Sequence, residues 1–132
     1  MTTRVYVAGA SSELGRAERA MDMIRAMPGK TLAMDWTVDI REHGASVPVG
    51  WSPDQKRKQA WICLEAVRTA NVVWLLVPGA PSQGCWAEWG AAYAWHKHLV
   101  ASGVHENSLF SSLTRYCPDT DSEAAKIIRC LF

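Results

Sequence analysis

The chain has 132 residues, 48% of them hydrophobic, and a formal net charge of +1 from 14 Lys and Arg against 13 Asp and Glu. That length buries one sizeable core and is too short for two ordinary ones, so residues 1–132 are predicted to form a single domain. Acids and bases are scattered without a basic face, and no apolar stretch approaches a membrane span; a nucleic-acid polymer and a bilayer are therefore excluded as expected partners, leaving a small ligand.

The amino terminus, Met1-Thr2-Thr3-Arg4, runs straight into a strand with no signal-peptide apolar segment, which predicts a cytoplasmic protein. Arg4 to Gly9 forms that first strand. Ala10 to Arg16 then leads into a helix through about Met27, with Ala17, Ala20, Met21, Ile24 and Met27 on one stripe. A strand, a Gly- and Ser-containing loop and a helix together offer backbone N–H groups to an anion, although Ser12 is equally an ordinary helix cap. Pro28-Gly29 ends the helix, and Lys30 to Trp36 reads as the second strand.

Val38 to Ser52 shows no periodicity and contains Gly44, Pro48 and Gly50, so it is expected to be a long loop able to close over a substrate. Ser52-Pro53-Asp54 is a helix entry, with Ser at the cap and Pro at the first position. The helix through about Thr69 is predicted to bury Ala60, Cys63, Leu64 and Val67. Val72 to Val77 is an unbroken apolar run, as in a strand covered on both faces of a parallel sheet. After the breakers Pro78, Gly79, Pro81 and Ser82, a helix starts near Gly84. Glu88 falls in its first turns, just beyond the carboxyl end of a central strand, where open α/β sheets bind ligands. Two readings of Glu88 stand side by side: a carboxylate favoured by the helix dipole, and a functional acid walled by Trp86 and Trp89.

Lys97 to Ser102 is the fourth strand, Gly103 to Ser112 a polar connection, and Leu113 to Cys117 a short fifth strand. Asp119 to Glu123 then caps a last helix, Glu123 to Leu131. Cys63, Cys85, Cys117 and Cys130 lack close paired spacing, so reduced thiols are expected rather than a zinc motif or a disulfide framework. His96 and His98, on a helix end passing into a strand, do not converge as metal ligands. No metal site and no cofactor is predicted. The alternation of strands and helices gives an α/β, doubly wound three-layer sandwich on a parallel sheet of about five strands.

At Pro81-Ser82-Gln83-Gly84-Cys85-Trp86-Ala87-Glu88-Trp89-Gly90-Ala91-Ala92 the chain resembles the Pro-Ser-x-Gly-x-x-x-Glu-x-Gly-x-Ala segment of the 2'-deoxynucleoside 5'-phosphate N-hydrolases. It also resembles the related segment of the nucleoside 2-deoxyribosyltransferases. Val5 to Gly9 is similar to the family's opening strand, and Lys97 to Val100 to its following strand. The resemblance implies a Rossmann-like fold of that superfamily and a catalytic pair of Glu88, attacking the anomeric carbon, and Tyr6. It further implies that Gly9, Ser11, Ser12 and Arg16, with one residue inserted, hold a 5'-phosphate with Ser82 and Gly84. Trp36 matches a position facing the nucleobase, against which stands plain packing.

The helix Asp that orients the sugar or protonates the base in that family falls here on Cys63, with Asp54 or Glu65 as substitutes. Asn71 stands where the family's Ala-Asp pair has Asp. The expected function is cleavage or transfer at the N-glycosidic bond of a (deoxy)nucleoside or nucleoside 5'-monophosphate. The alternatives are a nucleotide-binding or signalling module without catalysis, and a TIR-like NAD glycohydrolase. Trp86, Trp89, Tyr93 and His96 recur at helical spacing opposite a small Ala87-Ala91 face expected to pack on the sheet. That aromatic stripe, like the family's assembly, predicts a homodimer around this helix.

Overall fold

In the computed structural model, which describes residues 2–44, 50–103 and 113–132, a parallel sheet carries helices on both faces. The strands are β1 (Thr3–Ala8), β2 (Lys30–Leu32), β3 (Val72–Leu76) and β4 (His98–Ser102), in spatial order β2-β1-β3-β4. The helices are α1 (Leu14–Arg25, preceded by a 3-10 turn at Ser11–Glu13), α2 (Thr37–His43), α3 (Pro53–Thr69), α4 (Gln83–Ala94) and α5 (Asp121–Cys130). From β1 the chain steps outward through α1 to β2, then returns past β1 to β3 and on through α4 to β4. With right-handed crossovers this reversal puts α1 and α5 on one face and α3 and α4 on the other. It also sets the topological switch point, where open α/β sheets bind ligands, at the carboxyl ends of β1 and β3.

Every residue of β3 is buried, as its β-branched and aromatic sequence requires of a central strand. Val5 pairs with Leu32 on one side and Val72 on the other, and Val72 pairs in turn with His98. Ala17, Ala20, Met21, Ile24 and Met27 are all buried, so the stripe predicted for the first helix faces the sheet.

Four elements depart from the sequence reading. The second strand stops at Leu32, not Trp36: the indole Nε1 of Trp36 donates to the Val7 carbonyl at 2.7 Å, occupying the acceptor that a longer strand would have used. The stretch expected to be one loop from Val38 begins instead as α2. Asp35 Oδ1 accepts from the Thr37 amide at 3.0 Å to start it, and Gly44, at φ 84°, ends it with its amide on the Ile40 carbonyl. Of the proposed closing loop, positions 45–49 lie outside the described residues. The predicted fifth strand reduces to a single parallel bridge between Val100 and Tyr116, so the sheet has four strands among the described residues. Finally, α3 presents Ala66 and Val67 to the core, while Ala60 is exposed and Cys63 and Leu64 are half-buried, because the helix meets the sheet only through its last turns.

One side chain fastens the carboxyl edge. Arg16 Nε and Nη2 donate to the two oxygens of Asp121 at 2.9 Å each, Nη1 to the Val77 carbonyl at 2.6 Å, and Nη2 to the Ser102 carbonyl at 3.0 Å. Ser102 Oγ donates to Asp121 at 2.6 Å and accepts from the buried Trp74 indole at 2.8 Å. Burial alone would raise the Asp121 carboxyl, but its bonds from Arg16 and Ser102 outweigh that and hold it below the ordinary carboxylate value. Removing one partner strands a poorly solvated charge, so Arg16→Ala is expected to cost about 3 kcal/mol and about 10 °C in Tm. Because the folded pKa is depressed, the clamp's contribution is full above pH of about 4 and disappears as the pH falls through the lower folded value. Thermal melts of both proteins from neutral to acid pH should converge; a constant gap would contradict the assignment.

Candidate active site

Glu88 comes to this switch point by helical geometry. On α4 the residues facing the sheet are Cys85, Trp89 and Ala92, and Glu88 shares their side, one turn after Cys85 and one before Ala92. This corrects the expected orientation: Ala87 is exposed, and it is Trp89 that packs inward, its indole donating to Thr114 Oγ1 at 2.9 Å and its ring stacked on Tyr93 at 5.5 Å. Part of the aromatic stripe is thus covered within the chain. His96 lies beyond the helix end, at φ 57°.

Tyr6 rises from the middle of β1 with 1% of its surface exposed, and its hydroxyl donates to Glu88 Oε2. The two residues named as the catalytic pair are therefore in direct contact. Burial pushes the Glu88 carboxyl up to about 7, against the Tyr6 hydrogen bond, which favours the charged form. Burial, and then the Glu88 charge, raise the Tyr6 phenol well above its ordinary value, so it serves as a donor throughout the physiological range.

Cys63, on α3, completes the wall. Burial, and then the charges of Glu88 and Asp39, push its thiol up to about 11, while the Gln59 side chain works the other way. Gln59 Nε2 also donates to Asp39 Oδ2 at 3.2 Å, linking α3 to α2. Cys63, where the resemblance would place an Asp, thus carries a thiol that burial and both charges keep neutral. Neither sequence-level substitute enters the site: Asp54 has a side chain 89% exposed and paired with Arg57, and Glu65 is paired with Arg68 in solvent. Asn71 lies at the opposite end of β3, where its side chain accepts from the Arg4 amide at 2.8 Å. Asp39 and Gln59 carried no signal of their own, Asp39 because α2 was hidden in an apparent loop. Gln59 was within reach, one turn before Cys63.

The remaining candidates divide. Gly9 closes the end of β1 tightly, since a Cβ there would lie 3.3 Å from Leu76 Cδ1 and 3.6 Å from the Trp36 ring. Ser11 is half-buried and Ser12 exposed in the turn that follows. Glu13 follows β1 and reaches Gly79 after β3, accepting from its amide at 3.2 Å. Arg16 belongs to the clamp and not to an open anion site. Trp36 is 9% exposed and spent on Val7, which makes it a wall of the β1 end rather than an open stacking surface. Ser82 is the N-cap residue of α4 but gives the helix no side-chain cap, and a Cβ on Gly84 would meet nothing within 4 Å. Among the described residues no group of three or more metal-ligating side chains converges, and no helix is long and apolar enough to cross a membrane.

A carboxyl raised to about 7 binds a proton more tightly in the folded chain than in the unfolded one, so stability is full below pH of about 4.5 and declines as the pH rises toward 7. Glu88→Gln lifts this penalty. The variant is expected to match wild type in stability near pH 4.5 and to exceed it at pH 8, by about 2–3 kcal/mol. Equal stability at both pH values would show that the carboxyl is not desolvated.

No family model and no curated protein matches the chain. Among solved structures it is similar to the CMP N-glycosidase BcmB of Clostridium botulinum, at 18% identity and a TM-score of 0.60, over 98% of this chain and 100% of that one. The chain shares that enzyme's fold, an α/β arrangement on a parallel sheet.

Proposed function

We propose that this chain cleaves the N-glycosidic bond of a nucleoside 5'-monophosphate, with Glu88 as nucleophile. The observation that carries the reading is the contact of the Glu88 carboxyl with the buried Tyr6 hydroxyl at the carboxyl end of β1. Tyr6 engages Oε2 and thereby presents Oε1. Desolvation makes the carboxylate more basic, and a carboxylate of this kind suits attack on an electron-poor sugar carbon. In the first step an oxygen of Glu88 bonds to C1' while the C1'–N bond breaks, its electron pair leaving with the base, which takes up a proton from solvent. Water, or a second base, then displaces Glu88 from C1', gives up a proton to solvent and restores the carboxylate. A pKa of about 7 leaves a large ionised fraction at neutral pH.

We place the phosphate at Ser82 and Gly84, at the amino end of α4, together with Gly9, Ser11 and Ser12 after β1. The fold similarity to a CMP N-glycosidase supports the substrate class. The neutral thiol of Cys63 favours a second reading, a nucleotide-binding module without turnover, and one experiment separates them. Nucleosides, 5'-monophosphates and NAD are incubated with the protein and free base is followed chromatographically. Base release from 5'-monophosphates with a kcat/KM above that on nucleosides is expected, falling by about a thousandfold or more in Glu88→Gln with nucleotide binding little changed. Persistent turnover in that variant rules out the nucleophile; equal efficiency on both substrate types rules out the phosphate subsite.

We further propose a homodimer formed through α4. Glu88 is the helix's single charged residue and is turned inward, whereas Ala87 and Ala94 are exposed, Gly90 has open space above it, and Tyr93 and Trp95 are 47% and 39% exposed. A helix apolar all round is normally covered, and small residues allow a second helix to approach closely. Light scattering at micromolar concentration should give twice the chain mass, and the monomer mass would refute the dimer.

A further inference from the structure

Helix α4 ends at Ala94, and the turn beyond it gathers positive charge. His96 in that turn has φ 57°, the left-handed region in which helix ends ordinarily carry Gly. Its amide donates to the Tyr93 carbonyl at 3.1 Å and that of Lys97 to the Ala92 carbonyl at 3.0 Å, so the turn is closed by its own backbone. An imidazole is held there at some backbone cost. The turn brings His96, Lys97 and His98 to a cleft of about 330 Å³ beside the start of β4, which Tyr93, Arg115 and Tyr116 also line. No carboxylate lines it.

The two permanent charges are available to an anion. Arg16, Arg25, Arg41, Arg57 and Arg68 each sit against an acid. Among the described residues Arg115 has no acidic partner, and its guanidinium lies over the Tyr116 ring, 5.3 Å from the centroid. Lys97 Nζ donates to the Arg68 carbonyl at 2.5 Å, which leaves it two further N–H donors and its full charge. The walls are fixed by the fold: the Trp89 indole donates to Thr114, next to Arg115, and stacks on Tyr93, while Tyr116 accepts from the Ala101 amide at 2.8 Å. The cleft adjoins the amino end of β4, away from the switch point at the carboxyl ends of β1 and β3. Along α4, Tyr93 stands about 7.5 Å beyond Glu88 and about 140° around the helix.

We propose that this cleft is a separate binding site for a small phosphate monoester carrying a flat ring. Arg115 and Lys97 meet the phosphate, His96 adds an N–H donor, and the ring packs on Tyr93. The cleft volume matches a ligand of that compact size. The site does not depend on the N-glycosidase reading. Tyr93 also belongs to the α4 face assigned to the dimer, but the charged groups all lie past the end of that helix.

Phenyl phosphate titrated against the full chain, with the imidazole signals of its four His followed by NMR, tests the site. The His96 and His98 signals are expected to move together with a Kd of about 1 mM while His43 stays in place. Inorganic phosphate should bind about tenfold more weakly, and phenol not at all. Arg115→Gln combined with Lys97→Gln is expected to weaken binding by about tenfold or more, whereas Ser82→Ala, at the phosphate subsite proposed above, leaves it unchanged. Should the double variant not fold, His96→Gly keeps the test open: Gly fits the left-handed turn without strain, so Tm should rise by about 3 °C while binding weakens several-fold. The site is overturned by unmoved His96 and His98 signals, by shifts still unsaturated at about 20 mM, or by an equal response to phenol. It is likewise overturned by a Kd unaltered in the double variant or in His96→Gly, or by loss of the shifts in Ser82→Ala.

Discussion

The Arg16 guanidinium is the constraint on which the carboxyl edge depends. Through Asp121, Val77 and Ser102 it ties the start of α1, the end of β3, the end of β4 and the start of α5 to one planar group. Strand ends in a parallel sheet would otherwise leave carbonyls without partners where the chain turns away, and a part-buried carbonyl without a donor is costly. A single planar, permanently charged fork meets the Val77 carbonyl and the Asp121 carboxylate at once and adds a second donor to the Ser102 carbonyl, which already accepts from the Val77 amide at 2.9 Å, a set that Lys could not serve with its compact ammonium. Because the clamp lies on the α1 and α5 face, the opposite face is free to be built for the site.

That opposite face holds a destabilising feature in place. Glu88 would be more comfortable in water, and its raised pKa measures how far the pocket disfavours its charge. What keeps it there is the packing of α4 around it: Cys85, Trp89 and Ala92 enter the core, so the helix cannot rotate Glu88 outward without exposing them. Tyr6 in turn is fixed by its strand, whose neighbours β2 and β3 leave it almost no freedom. The geometry of the pair is therefore set by the sheet and the core, and not by a loop. Such placement of a buried acid and its donor on rigid elements keeps them aligned at the expense of some stability.

Much of this was legible in the sequence. The uninterrupted run Val72 to Val77 announced a central strand and the Ala17 to Met27 stripe a sheet-facing helix, and the twelve residues from Pro81 to Ala92 singled out Glu88, which the fold buries against Tyr6. Tyr6 and Glu88 are distant in sequence, and only the family resemblance joined them. The misreadings share one cause, side chains doing what backbone usually does. A Trp36 indole in place of a ladder amide ends β2 early, and an Asp35 carboxylate starts a helix too short to show periodicity. Arg16 looked like an anion ligand because nothing in the sequence reveals that Asp121, 105 residues away, had already claimed it. The inward face of α4 was misjudged since Ala and Trp are equally apolar by pattern, and only the direction of Glu88 decides between them.

The ends of the sheet carry a consequence for how copies of this chain meet. On one side the outermost strand, β2, is only three residues long, and the Trp36 indole occupies the next acceptor of β1. On the other, Tyr116 and Pro118 accept from the amides of Ala101 and Gly103 at 2.8 and 3.2 Å, so the close of β4 is engaged by the chain itself. Long, unpaired strand edges are templates for open-ended stacking of one molecule on the next, and each of these is shortened or plugged. Growth into fibrils by adding strands is thereby discouraged at both margins, and any association is steered toward helical surfaces, where contacts close on themselves instead of propagating.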